Sequence, residues 1–189
     1  MMEIEVSAEA KDKRLNRWVA ITVVALSVFM GLGNIKDGNI VQNMVQAKAD
    51  SVDRWGEYQA TKTKLHVAET ARDEMVVLAA TPGAKAAASA AIVRLDGEIV
   101  KYTREAPVLA KQAQSFADRY DALNVHDDQF DASEAALSTA ISMAAVAALA
   151  ESFPLLFAGW VFGGFGLFLG LCGFAGWGFH PDVLSTVLG

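Results

Sequence analysis

Two long uncharged stretches near opposite ends of the chain limit its folds more than any other feature. Trp18 to Gly33 (WVAITVVALSVFMGLG) and Leu155 to Phe179 carry no Asp, Glu, Lys or Arg. The hundred residues between Asn34 and Ser133 are polar by comparison. A water-soluble domain disperses its apolar residues along every element, whereas this chain concentrates them at its two ends. Its 53% hydrophobic content and mean hydropathy of +0.28 exceed the range of ordinary soluble domains. The pattern implies an all-α membrane protein with three transmembrane helices and one long extramembrane helical insert.

Sixteen residues, Trp18 to Gly33, rise about 24 Å as a helix, just short of the hydrocarbon core. Leu15 and Ile35 extend the span, and Trp18 suits the interface. A cleaved signal peptide is the rival reading, but the small AxA-type cleavage residues are missing. The later apolar region reads as a tight hairpin. Ala135 to Ala150 is uncharged and rich in Ala, Ser and Thr, Glu151-Ser152-Phe153-Pro154 breaks it, and Leu155 to Phe179 follows. Those last 25 residues can span about 37 Å with tilt.

The insert reads as two helices of about 47 residues each around Thr81-Pro82-Gly83, the one strong breaker in the middle. Its second arm places Ile92, Leu95, Ile99, Tyr102, Ala106, Leu109, Ala113, Phe116, Tyr120 and Leu123 at alternating spacings of 3 and 4. That is a coiled-coil-like packing stripe. It keeps its phase across Pro107, which predicts a kink rather than a stop. In the first arm, Val41, Met44, Val45, Val52, Trp55, Tyr58 and Leu65 share a broader face, on which Lys48 and Lys62 also fall. The expected divisions are therefore 1–17, a cytoplasmic N-terminal segment; 18–35, the first span; 36–133, an antiparallel helical hairpin turning at 81–83; 134–179, a transmembrane hairpin with helices 135–150 and 155–179; and a tail, 180–189.

The sharpest motif lies in the last helix. Gly159, Gly163, Gly166, Gly170 and Gly173 are spaced 4, 3, 4, 3 and form a groove without side chains. In lipid, such a face lets another backbone approach closely. The occupant is either the Ala-rich helix of the same chain or a second subunit. Leu95, Ile99, Tyr102, Leu109, Phe116 and Tyr120 are the expected packing residues of the insert, and Trp55, Tyr58 and Gln59 its candidate partner-facing residues. Ser138, Thr139 and Ser142 lie on one side of the second span and are candidate pore-lining residues.

Other features carry less. The net charge of −6, with no long basic run, argues against nucleic-acid binding. Cys172 is the single cysteine, so an intrachain disulfide is excluded. His126, Asp127, Asp128, Asp131 and Glu134 form an acidic cluster whose spacing fits no ligand loop, and it reads as a solvated face. Glu151 reads as part of an interfacial turn, His66 as exposed, and His180-Pro181-Asp182 as a chance tripeptide. No nucleophile–base pair or cofactor motif is present, so catalytic, cofactor and metal sites are expected to be absent and the chain is read as non-enzymatic. Lys11, Lys13, Arg14 and Arg17 precede the first span and Lys36 alone follows closely. The basic excess places the N-terminus in the cytoplasm and the insert outside it.

Leu15-Asn16-Arg17-Trp18-Val19-Ala20-Ile21, followed by Asp53-Arg54-Trp55-Gly56-Glu57-Tyr58-Gln59-Ala60-Thr61-Lys62, resembles the bacterial domain-of-unknown-function 4337 (DUF4337) family. The resemblance implies a first span, a helical insert and a closing two-span hairpin in a bacterial inner membrane. This chain departs in its Ala-rich second span and in a hairpin turn without basic residues. The family has no assigned activity and so implies no catalytic residue. The functional expectation is a homo-oligomeric scaffold in the lipid bilayer, built through helical arms and the glycine-groove helix, with an unidentified protein partner. The alternative is a channel or transport subunit lined by the small-residue spans.

Overall fold

The computed structural model describes residues 2–179, with side chains from Lys13 onward. The tail 180–189, with His180-Pro181-Asp182, and the side chain of Lys11 lie outside the described residues. The described chain is all helical, with no strand: α1 Met2–Leu78, α2 Lys85–Leu149 and α3 Phe153–Ala175. All three are long and apolar enough, in at least one window, to cross a membrane.

The helices run through the divisions the sequence suggests at 17/18, 35/36 and 133/134. Asn34 to Asn39 is polar but contains no helix-stopping proline, and the Asn39 and Asn43 side chains donate to carbonyls four residues back. A change from apolar to polar composition alters what a helix touches without interrupting its i→i−4 ladder. The breaks come where backbone chemistry demands them. Thr81-Pro82-Gly83 separates α1 from α2, with Ala84 N–H donating to Thr81 O. α2 continues unbroken through Pro107.

The turn between α2 and α3 is a Schellman closure. Ser152 N–H donates to Ala147 O at 3.0 Å and Glu151 N–H to Ala148 O, with Glu151 at φ 50°. Pro154 then sits in the first turn of α3, where its missing N–H is not needed. α3 starts at Phe153 and ends at Ala175, earlier at both ends than the uncharged run suggests. Gly176, at φ 68°, stops it, and Trp177 N–H closes onto Cys172 O.

The chain divides into two compact units at 44/45 and 120/121. The terminal unit combines the chain up to Met44 with the chain from Asp121 onward, and the central unit is Val45–Tyr120. In the terminal unit, Leu15, Ala144, Ala147 and Leu156 form one buried cluster and Leu26, Leu137 and Ala140 another. Trp18 meets Trp160 edge to face, and Phe29 meets Phe174, so α1 and α3 run parallel here.

In the central unit α1 and α2 pack antiparallel. Ser51 Oγ donates to Ala113 O at 3.0 Å, Arg72 Nε donates to Asp96 Oδ1 at 2.7 Å, and Lys48 Nζ lies over the Tyr120 ring. On α2, Leu95, Ala106 and Ala113 are buried, and Ile99, Tyr102, Leu109, Phe116 and Tyr120 are half-buried. The α1 side differs from the expected face. Leu65 is buried and Tyr58 half-buried, but Val45, Val52 and Trp55 point outward. The seam instead passes through Ala47, Ser51, Thr61, Leu65 and Ala68, at multiples of a 3–4 spacing. Small and hydroxyl residues bring the backbones close enough for Ser51 to reach a main-chain carbonyl, a contact that valines would block.

Candidate functional site

Two features of the terminal unit bear on function: the filled glycine groove and a carboxyl cluster beyond its end. All five groove glycines are buried. A Cβ on Gly159 would lie 3.2 Å from Ala140 O, and on Gly163 3.1 Å from Leu26 Cδ1. On Gly166 it would lie 2.9 Å from Leu137 Cγ and 3.0 Å from Ser133 O. On Gly170 and Gly173 it would collide with the Phe29 and Phe130 rings, at 2.6 and 2.7 Å. The groove is thus filled along its length by α1 and α2 of the same chain. Ser133 Oγ spans it, donating to Gly166 O at 2.7 Å.

The outer surface of the unit is apolar. Val24, Val28, Leu32, Phe157, Val161 and Leu171 are all more than half exposed, while the five ladder glycines and Ala136, Ala140, Ala144 and Ala147 face inward. Ser138, Thr139 and Ser142 also lie outside. The Ser142 and Thr139 hydroxyls donate to carbonyls four residues back, and Ser138 Oγ approaches Met30 Sδ at 3.6 Å.

Beyond Gly33 and Phe130, Asp37 of α1 faces Asp127 of α2. Asp37 occupies the inward position between Gly33 and Ile40, both buried. Its Oδ1 is buried and lacks a hydrogen-bond partner, while the carboxyl is hydrogen-bonded to that of Asp127. Two carboxylates hold only acceptors, so this bond needs one proton. Burial, the charge of Asp127, the shared bond, and then the charges of Asp131 and Glu134 push Asp37 up to about 6. Burial also raises Asp127, a shift opposed by its bond to Asp37 and reinforced by the charge of Asp128. Asp131 is raised by burial and then by Asp127, Asp128 and Glu134.

Gln129 ties the same region together. It is fully buried, and its Nε2 donates to Trp177 O at 2.8 Å and to Phe179 O, while its Oε1 meets His126 Nδ1 at 3.1 Å. His126 is therefore engaged by Gln129. Among the described residues, no three His, Cys, Asp or Glu side chains converge as a metal-holding group. The cluster brings carboxyl groups of α1 and α2 together where burial and mutual repulsion raise Asp37, Asp127 and Asp131. Sequence reasoning found its α2 members but missed Asp37 and Gln129; the signal was the inward position of Asp37 in the 33, 37, 40, 44 ladder.

Of the central unit's candidates, Trp55 and Tyr58 form an edge-to-face pair with centroids 5.4 Å apart, and Gln59 is exposed. Cys172 is buried and free, and His66 is exposed beside Glu69.

The class defined so far is an all-helical protein whose three long helices each include a stretch able to span a bilayer. A family model described as a domain of unknown function, DUF4337, matches residues 15–176, and the chain belongs to that family. The match covers the end of the basic segment, the central unit and α3 through its glycine cap. No curated protein and no solved structure gave a match.

Proposed function

We propose that the chain is a membrane-anchored, non-enzymatic scaffold. Its terminal unit lies in the bacterial inner membrane, and its central unit forms a coiled-coil-like arm on the periplasmic side. The observation that carries the membrane reading is the apolar exterior of the terminal unit, where Val24, Val28, Leu32, Phe157, Val161 and Leu171 stand exposed around a core of glycine, alanine and leucine. A contiguous apolar exterior of this kind is stable only against lipid or another apolar surface. Lys13, Arg14 and Arg17 at one end of the first span, against Lys36 alone at the other, favour a cytoplasmic N-terminus.

The arms assemble copies of the chain and present a surface to a protein partner. Support comes from the outward Val45, Val52, Val67, Val93, Val100 and Val108 of the central unit. A transport path has weaker support, because the Thr139 and Ser142 hydroxyls are bonded within their own helix.

The test is the mass of the particle in native lipid, by native mass spectrometry or mass photometry. A single multi-subunit stoichiometry is expected, reduced by Val52→Glu with Val100→Glu. A monomer, or an oligomer indifferent to both substitutions, would overturn assembly through the arms. Extraction of the intact chain by alkaline carbonate alone would overturn membrane insertion.

A further inference from the structure

A groove of about 290 Å³ opens between α1 and α3 in the terminal unit, bordered on its inner side by the packed Leu26 and Gly163. Trp18, Ile21, Ala25, Trp160, Gly164 and Leu167 line it. The Trp160 indole N–H is already committed, donating to Thr22 Oγ1 at 2.8 Å, and the rest of the lining is mainly apolar. A largely apolar wall offers water little and suits a hydrocarbon chain.

The groove does not end on an apolar rim. Trp18 and Ile21 also line the adjoining cleft, whose other walls are Lys13, Arg14 and Arg17. Arg14, Trp18, Ile21 and Ala25 follow one another at spacings of 4, 3 and 4, so a single face of α1 carries charge into groove. A ligand for this face has an anionic head and an apolar tail.

We propose that this face binds one anionic phospholipid, with its phosphate on Arg14 and Arg17 and an acyl chain between Trp18, Trp160 and Gly164. The site rests on the membrane reading above. Arginine suits the head because its planar fork donates two parallel hydrogen bonds to a phosphate. Gly164 suits the tail because it leaves the floor of the groove open: a Cβ there would meet nothing within 4 Å.

The test uses the purified full chain in mild detergent, titrated with dioleoylphosphatidylglycerol or dioleoylphosphatidylcholine and read by native mass spectrometry. The first phosphatidylglycerol should bind about tenfold more tightly than phosphatidylcholine. Arg14→Gln with Arg17→Gln should remove that preference. Gly164→Leu should weaken both lipids by filling the groove, and its open surroundings let the chain fold, as circular dichroism checks. Inorganic phosphate at millimolar concentration should not displace the lipid.

Equal binding of the two lipids, or wild-type affinity in both variants, would overturn the site. Displacement by phosphate would overturn it in favour of a simple anion cleft. A chain that stays in the aqueous phase without detergent would overturn the membrane reading and the site together. A chain that partitions into detergent without discriminating between lipids overturns the site alone.

Discussion

Replacing Gly166 by alanine should destabilise the terminal unit by about 2 kcal/mol. The added methyl would sit 2.9 Å from Leu137 Cγ and 3.0 Å from the main-chain oxygen of Ser133, and the latter cannot move without shifting α2. Overpacking of this kind costs about 1–3 kcal/mol. Alanine returns about 0.5–1 kcal/mol through its better helix propensity. Parting the helices also stretches the 2.7 Å bond from Ser133 Oγ to Gly166 O, a loss of about 0.6 kcal/mol in membrane proteins. The sum corresponds to roughly a thirtyfold change in the unfolding constant. Gly164→Ala is the matched control two residues away, where the methyl meets open space. The assay is reversible unfolding in mixed micelles, followed by tryptophan fluorescence and helicity. Equal stability of the two variants would refute the reasoning. So would a Gly166→Ala chain that unfolds like wild type but loses subunits, because the groove would then be filled by another copy.

Three further perturbations have definite signs. Asp37 titrates near 6 in the folded chain, above the ordinary 3.8; its stabilising contribution is complete below about pH 3.8 and is lost as pH rises through 6. The full shift corresponds to about 3 kcal/mol, which solvent screening at this half-open position reduces to about 1 kcal/mol. Asp37→Asn should therefore be more stable than wild type at pH 7.5 by that amount and should lose the difference by pH 4, in paired unfolding titrations. Glu151→Gly should stabilise by about 0.5–1 kcal/mol, because Glu151 holds a left-handed φ of 50° that glycine adopts without a Cβ clash; unchanged thermal unfolding would argue against that backbone reading. Gln129→Ala should cost about 2 kcal/mol, since it removes the hydrogen bonds to the carbonyls of Trp177 and Phe179 and empties a buried site, and limited proteolysis after Ala175 should quicken.

The helices, the turn at Thr81-Pro82-Gly83, the α2 packing stripe and the glycine ladder were legible because each rests on one strong local signal. The α1 seam was not. Its inward positions include Ala47, Ser51, Thr61 and Ala68, which hydropathy undervalues, while Val45 and Val52 sit one residue aside and dominate an apolar count. The unit boundaries were also hidden, since nothing in a continuous helical ladder marks where its neighbours change. Asp37 went unnoticed because an acid near the end of an apolar run ordinarily faces water. Only the facing register of α2, which brings Asp127 opposite, turns it into half of a carboxyl pair.

The Schellman turn at Glu151 and the filled glycine ladder carry a consequence for the order of biosynthesis. The central unit is one uninterrupted stretch, Val45–Tyr120, and can close as soon as its last turn emerges. The terminal unit cannot, because the partner for Ala140, Leu137 and Ser133 is α3, the last helix made. Until α3 arrives, the alanine face of α2 has only α1 to lean on. A ribosome halted before Leu155 would hold a finished central unit on an open core, and such a truncated chain should be degraded faster than the full one.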